Sequence, residues 1–340
     1  MGVQDPSNEQ PGPPKRVLVT GGAGFIGSHL LDLLVANGDE VTIIDNLSTG
    51  RRSNLAGVSD NIRFIEASVS DGLPQLDGQH FDEIYHLAAA VGVELVLSDP
   101  IGSIRSNIIE TDEVLRYALE HGNAKVLIAS SSEVYGKPGT SVFSEGDDLL
   151  LGPTTVTRWS YAHAKAIDEH LALVYTQQHG LETVCCRFFN TVGPRQIGRY
   201  GMVLPRFVQA ADAGENLRVF GDGTQTRCFC DARDVVRALP ALLRTPGCTG
   251  RVYNIGSDHP IAIGELAEQV IETLGSGSSI ELIPYDDAYP KGFEDLRHRK
   301  PDLDRIRGAI GFEPRYTLKQ TIKDLHQQLG LEAKVEGGVS

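Results

Sequence analysis

A glycine-dense turn near the front of the chain narrows the possible folds more than any other feature. Thr20-Gly21-Gly22-Ala23-Gly24-Phe25-Ile26-Gly27 follows the short β-rich run Arg16–Thr20. It leads directly into Phe25–Ala36, whose apolar residues recur at helical spacing until Asn37-Gly38. Strand, small-residue turn and helix in that order let a backbone approach a pyrophosphate closely, with the helix's unpaired N–H groups aimed at its oxygens. The turn holds Gly22-x-Gly24-x-x-Gly27 and, overlapping it, Gly21-x-x-Gly24-x-x-Gly27. Gly21, Gly24, Phe25, Ile26 and Gly27 are therefore the candidate dinucleotide contacts. Asp45 closes the next strand-like run, Val41–Asp45, eighteen residues past Gly27. A carboxylate there accepts hydrogen bonds from a ribose diol and repels a 2′-phosphate. Asp45, with Asn46 beside it, thus points to NAD rather than NADP.

Further short apolar runs lie at Ile62–Ile65, Glu83–Leu87, Lys125–Ser130 and Thr183–Phe189, with helical patterns at Ile101–Glu120 and about Tyr161–His179. Near-continuous apolar strands separated by helices imply a parallel sheet covered on both faces. The expected class is α/β: a Rossmann-like doubly wound parallel sheet with a smaller C-terminal substrate-binding domain. After Asn190 the pattern changes and Gly and Pro become frequent. A strand is expected again at Val252–Ile255, then helices at Ile263–Leu274 and roughly 317–329. The expected layout is a polar, disordered lead-in over 1–14, a dinucleotide domain over 15–189 with about 231–257, a substrate domain over 190–230 and 258–330, and a frayed tail over 331–340.

Net charge is −14, from 31 Lys and Arg against 45 Asp and Glu. Bulk electrostatics would not draw such a chain to nucleic acid or an anionic membrane, and neither is expected as a partner. A small anionic substrate stays open, because local arginines can oppose the global sign. No apolar run is long enough to span a bilayer, and the start lacks the core of a secretion signal. Five irregularly spaced cysteines make no disulfide framework, and Cys228-x-Cys230 has no second pair at zinc spacing, so no metal is expected. The cytoplasm is the expected compartment.

Tyr161-Ala162-His163-Ala164-Lys165 places tyrosine and lysine four apart on one helical face. Bringing a tyrosine pKa from about 10 to neutrality means favouring phenolate by roughly 4 kcal/mol. An ammonium near 4 Å, at an effective dielectric of about 20, supplies about that much. Tyr161 can then act as a general base toward a hydroxyl, with Lys165 also able to hold ribose.

At this point GGAGFIG, HLAAAVGV, SSSEVYG, YAHAK, RFFNTVGPR and FGDGTQTR together resemble the extended short-chain dehydrogenase/reductase family over nearly all of residues 16–328. The resemblance implies tightly held NAD, a nucleotide-sugar substrate such as a UDP-sugar, and a homodimer formed by the helices near 101–120 and 161–179. It implies that Ser131 hydrogen-bonds the sugar hydroxyl beside Tyr161. Asn190, Arg195, Arg206 and Arg227 would hold the nucleotide-sugar, Arg187 with them. The family's adenine-binding Asp has no counterpart at Ser68. Within the family, Ser131-Ser132-Glu133, with no acid before Glu133, resembles the UDP-glucuronate decarboxylases. So do Arg158-Trp159-Ser160-Tyr161 and His298-Arg299-Lys300-Pro301-Asp302. That likeness implies Glu133 and Arg299 as reaction residues, with Arg297 the competing arginine.

The implied chemistry begins with Tyr161 removing the 4-hydroxyl proton of UDP-glucuronate as C4 is oxidised. The C6 carboxylate then lies β to a ketone and is lost as CO2. A UDP-4-keto-pentose leaves, or is reduced to UDP-xylose. The alternative is an NAD-dependent 4-epimerase of UDP-glucuronate or UDP-glucose type. A 4,6-dehydratase or a non-catalytic dinucleotide-binding protein follows behind.

Overall fold

A computed structural model describes residues 13–89, 99–137, 139–198, 202–284 and 297–336. The lead-in expected over 1–14 lies almost wholly outside them, as do residues 90–93 of HLAAAVGV. Seven strands form the central sheet: β1 (Arg16–Thr20), β2 (Glu40–Asp45), β3 (Ile62–Glu66), β4 (Glu83–His86), β5 (Lys125–Ser131), β6 (Thr183–Phe188) and β7 (Arg251–Ile255). Their order is β7-β6-β5-β4-β1-β2-β3, and every neighbouring pair is parallel. The chain leaves β1 first toward β2 and later crosses to β4. That reversal opens a crevice at the carboxyl ends of β1 and β4, where doubly wound sheets take their ligands.

Strand periodicity explains the core. Val17 and Val19 of β1 pack into one buried cluster and Leu18 into the other, so both faces are apolar because both are covered. Helix α1 (Phe25–Ala36) lies on the first face. Helices α2 (Pro100–Glu120) and α3 (Trp159–His179) pack side by side on the second.

A separate core gathers Val192, Leu204, Phe207, Leu217, Ile263, Leu266, Ile322 and Leu325 from the C-terminal part. Beside it a four-stranded sheet runs Pro260–Ala262, Thr226–Cys228, His298–Pro301, Val142–Phe143. Prolines hide two helices in the sequence: Val203–Ala213, which packs in this second core, and Ala232–Arg244, which packs on the first face of the main sheet beside α1. Pro205 sits in the first turn of one, where no intrahelical donor is lost, and Pro240 lies inside the other. The last helix, Leu318–Glu336, runs beyond the end expected near 329, so the first part of the supposed frayed tail is helical.

Candidate active site

The phosphate loop is shaped by contacts that only glycine permits. Gly21 has φ +74°, and a Cβ there would lie 2.7 Å from the Ala88 backbone nitrogen. A Cβ on Gly27 would lie 2.1 Å from the Gly21 carbonyl oxygen. The chain therefore turns tightly enough to start α1 against β1 and β4. No side chain caps α1, so its first N–H groups face the cavity that Gly21, Gly24, Phe25, Ile26 and Gly27 line. A dinucleotide pyrophosphate fits that cradle.

Asp45 ends β2 almost fully buried and also lines this cavity, with Asn46 next to it. Its Oδ2 accepts the Ala23 N–H at 2.9 Å and its Oδ1 the Leu47 N–H at 2.8 Å. Burial raises its pKa, and those N–H donors offset part of the rise. The carboxylate thus braces the loop while facing the cavity.

The cavity, of about 810 Å³, continues from the loop to the end of β5 and the start of α3. Ser131 closes β5. Its hydroxyl accepts the Glu133 N–H at 3.2 Å and hydrogen-bonds the Tyr161 hydroxyl. Tyr161 and Lys165 share the face of α3 turned to the cavity. The lysine is not the only charge that acts on the tyrosine. Lys165 is buried, and its Nζ lies 3.1 Å from Asp168 Oδ2. Desolvation first, then the charges of Glu133 and Asp168, push Tyr161 well above the ordinary tyrosine range. Asp168 also accepts from Thr111, whose Oγ1 lies 3.2 Å from His86 Nε2. Burial, with Lys165's charge second, pushes His86 down to about 3, so this imidazole is neutral.

Glu133 sits between two arginines. Arg299 Nη1 donates to its Oε1, and Arg158 Nη2 lies 3.4 Å from its Oε2. Burial raises the Glu133 pKa, but Arg299 and Arg158 outweigh it and hold the carboxyl below its usual range. Arg299 reaches the site through strand register. His298–Pro301 pairs with Thr226–Cys228 so that Arg299 stands opposite Arg227, and both arginines are buried against the cavity. Arg297, by contrast, has a side chain 76% exposed, 4.0 Å from Asp222. Arg158 was not singled out as a site residue, although it stands three residues before Tyr161, which is one helical turn.

Asn190, Arg195, Arg206 and Arg227 all line the cavity. Arg206 lies over the Phe220 ring at 4.8 Å, and Arg195 is 2.7 Å from Asp32. Arg187 corrects the expectation of a fourth phosphate clamp. It is buried, bonded to both Glu169 oxygens at 2.9 and 2.7 Å and stacked on Tyr135, and does not line the cavity. Arg187→Ala is expected to cost about 3–5 kcal/mol in urea unfolding, because it strands Glu169 as a buried charge. An unchanged midpoint would show the pair to be dispensable.

The profile of the NAD dependent epimerase/dehydratase family matches residues 17–256. The UDP-N-acetyl-alpha-D-glucosaminuronate decarboxylase of Bacillus cytotoxicus is 42% identical over 316 residues, 92% of this chain and 97% of that protein. UDP-glucuronic acid decarboxylase 6 of Arabidopsis thaliana is 36% identical over 326 residues, 94% of this chain and 91% of that one. Among solved structures, UDP-glucuronic acid 4-epimerase from Bacillus cereus, in complex with UDP-glucuronic acid and NAD, superposes with a TM-score of 0.80 at 27% identity, covering 93% of this chain and 99% of that one.

Proposed function

The chain belongs to the NAD-dependent epimerase/dehydratase family, and on that premise we propose that it is a UDP-glucuronate decarboxylase that oxidises C4 of the sugar and releases C6 as CO2. The observation that carries this reading is Glu133 held between Arg299 and Arg158 in the cavity that Tyr161 and Ser131 also line. A 4-epimerase acting on a neutral sugar has no carboxylate to hold. Two arginines gathered on one acid make a site for a second carboxylate.

Bound NAD supplies the acceptor for the C4 hydrogen and its electron pair. Tyr161 takes the 4-hydroxyl proton, with Ser131 hydrogen-bonded to the same oxygen. Lys165 holds ribose and keeps the tyrosine oriented from one turn along α3. Arg299 binds the C6 carboxylate, and Glu133 places a negative charge beside it. Loss of CO2 moves the negative charge away from Glu133, because the electrons left at C5 delocalise into the C4 ketone and place the charge on its oxygen. C5 then takes a proton drawn from solvent, and Arg299 assists its delivery.

The phosphate loop and Asp45 come from 15–189, whereas Arg206, Arg227 and Arg299 come from 190–230 and 258–330. That division supports a dinucleotide domain and a sugar-nucleotide domain meeting at the cavity. Arg195, Arg206 and Arg227 take the diphosphate, where the planar guanidinium fork suits phosphate oxygens. A homodimer through α2 and α3 is supported by Ile101, Ile104, Ile109, Ile167 and Val174, all large apolar side chains exposed on these two helices. Five buried, unpaired cysteines support a reducing compartment, the cytoplasm.

The test is mass spectrometry of the products from UDP-glucuronate and from UDP-N-acetylglucosaminuronate. The second substrate is included because the 42% identical relative bears its name. A product lighter by one CO2 is expected from UDP-glucuronate, and a further loss of two hydrogens identifies release as the ketone. Turnover of the acetamido sugar alone would move the substrate to that compound. An isomer of unchanged mass would make the protein an epimerase.

A further inference from the structure

Beyond Asp45 the cavity extends into a slot with two walls. One is the turn after β3, Ala67-Ser68-Val69; the other is the face of α2 that carries Ser106 and Glu110. Ser106 and Glu110 are four residues apart and so share that face. Register puts the slot beside the ribose position, because Asp45 pairs with Glu66 at the ends of β2 and β3. A base attached to a ribose held by Asp45 therefore enters this slot.

Neither wall offers an acid at Ser68. Its hydroxyl accepts the Asp71 N–H at 3.1 Å and donates to Asp71 Oδ2 at 2.7 Å, so it caps the short turn Val69–Gly72. The acid comes from the other side. The Glu110 carboxylate lines the slot and is hydrogen-bonded by the Val69 backbone N–H. Ser70 donates to Glu113 at 2.5 Å and ties the same turn to α2. Burial, with the charge of Glu113 adding to it, pushes Glu110 up to about 7. A carboxylate this desolvated gains from any further donor that reaches it.

We propose that Glu110 reads the adenine of the bound dinucleotide, its carboxylate accepting a hydrogen bond from the exocyclic amine. The Val69 N–H is already engaged by Glu110, so the recognition falls to the acceptor capacity that the carboxylate keeps toward the slot. The inference rests on the NAD reading, and it assigns the base-selecting group to α2 instead of to the turn after β3.

The experiment offers the purified protein equal concentrations of NAD and nicotinamide hypoxanthine dinucleotide, in which a carbonyl replaces the adenine amine. The retained dinucleotide is then weighed by native mass spectrometry. Above about pH 8, where Glu110 is ionised, the protein is expected to retain NAD over the analogue by at least about tenfold, as a hydrogen bond to a charged group warrants. Glu110→Gln is isosteric, and its amide can donate to the hypoxanthine carbonyl. It should bring the two within about threefold, and Glu110→Ala should likewise erase the preference. Equal retention by the unaltered protein, or an unchanged preference in both variants, overturns the assignment to Glu110. Retention of neither dinucleotide by the unaltered protein would instead remove the cofactor reading on which it rests.

Discussion

Tyr161→Phe is expected to lower the first oxidation by on the order of 10³-fold while leaving NAD bound, measured as reduced nicotinamide formed in a single turnover with UDP-glucuronate. The reason lies in the charge balance around the hydroxyl. Tyr161 works against desolvation and against two carboxylates, Glu133 and Asp168, all of which favour its neutral form. Lys165 is one turn away, but Asp168 holds its ammonium at 3.1 Å. An oxidised nicotinamide bound beside Tyr161 would add positive charge to the site and so would favour loss of the proton. Phenylalanine keeps the ring and its packing but has no proton to exchange. Reduced nicotinamide formed at the original rate in this variant would move the base elsewhere.

The parts of this site that were readable in the sequence are those whose geometry is local. The glycine turn, Asp45 at a strand end and Tyr161 one turn from Lys165 each follow from a fixed spacing on one element. Arg299 was readable only through resemblance, because its place depends on the pairing of His298–Pro301 with Thr226–Cys228. Arg187 was misread because its partner Glu169 lies on α3 and meets it only when that helix packs on the sheet. Asp168 and Arg158 stood at one-turn spacing from Lys165 and Tyr161. A spacing reports that two side chains are neighbours, not whether the neighbour helps or opposes the chemistry. Glu110 needed the whole fold, since nothing in its own helix points to the turn after β3. The helices Val203–Ala213 and Ala232–Arg244 were hidden for another reason: Pro205 falls in a first turn, where no intrahelical donor is lost, and Pro240 lies inside a helix that continues through it.

Glu133→Gln is expected to separate the two halves of the reaction. CO2 formation should fall about 10²- to 10³-fold, the range seen when one preorganised charge is removed from a developing transition state. Oxidation at C4 should persist, and its pH dependence should move in a defined direction. Glu133 raises the Tyr161 pKa by like-charge repulsion, so its neutral replacement lowers that pKa. Phenolate then forms at lower pH, and the rising limb of the oxidation profile shifts toward acid. A merely structural glutamate would lower both steps together and leave that limb where it was. The arginines supply the second half of the argument. With Glu133 ionised, Arg158 and Arg299 already share one negative charge, and a substrate carboxylate brings a second to the same arginines. With glutamine there, the substrate carboxylate meets these arginines without a neighbouring negative charge and is held more tightly in its ground state, which opposes its departure as uncharged CO2. The variant should therefore bind UDP-glucuronate at least as well while releasing less CO2. Weaker binding with CO2 loss per bound substrate unchanged would assign Glu133 to recognition instead of to the bond-breaking step.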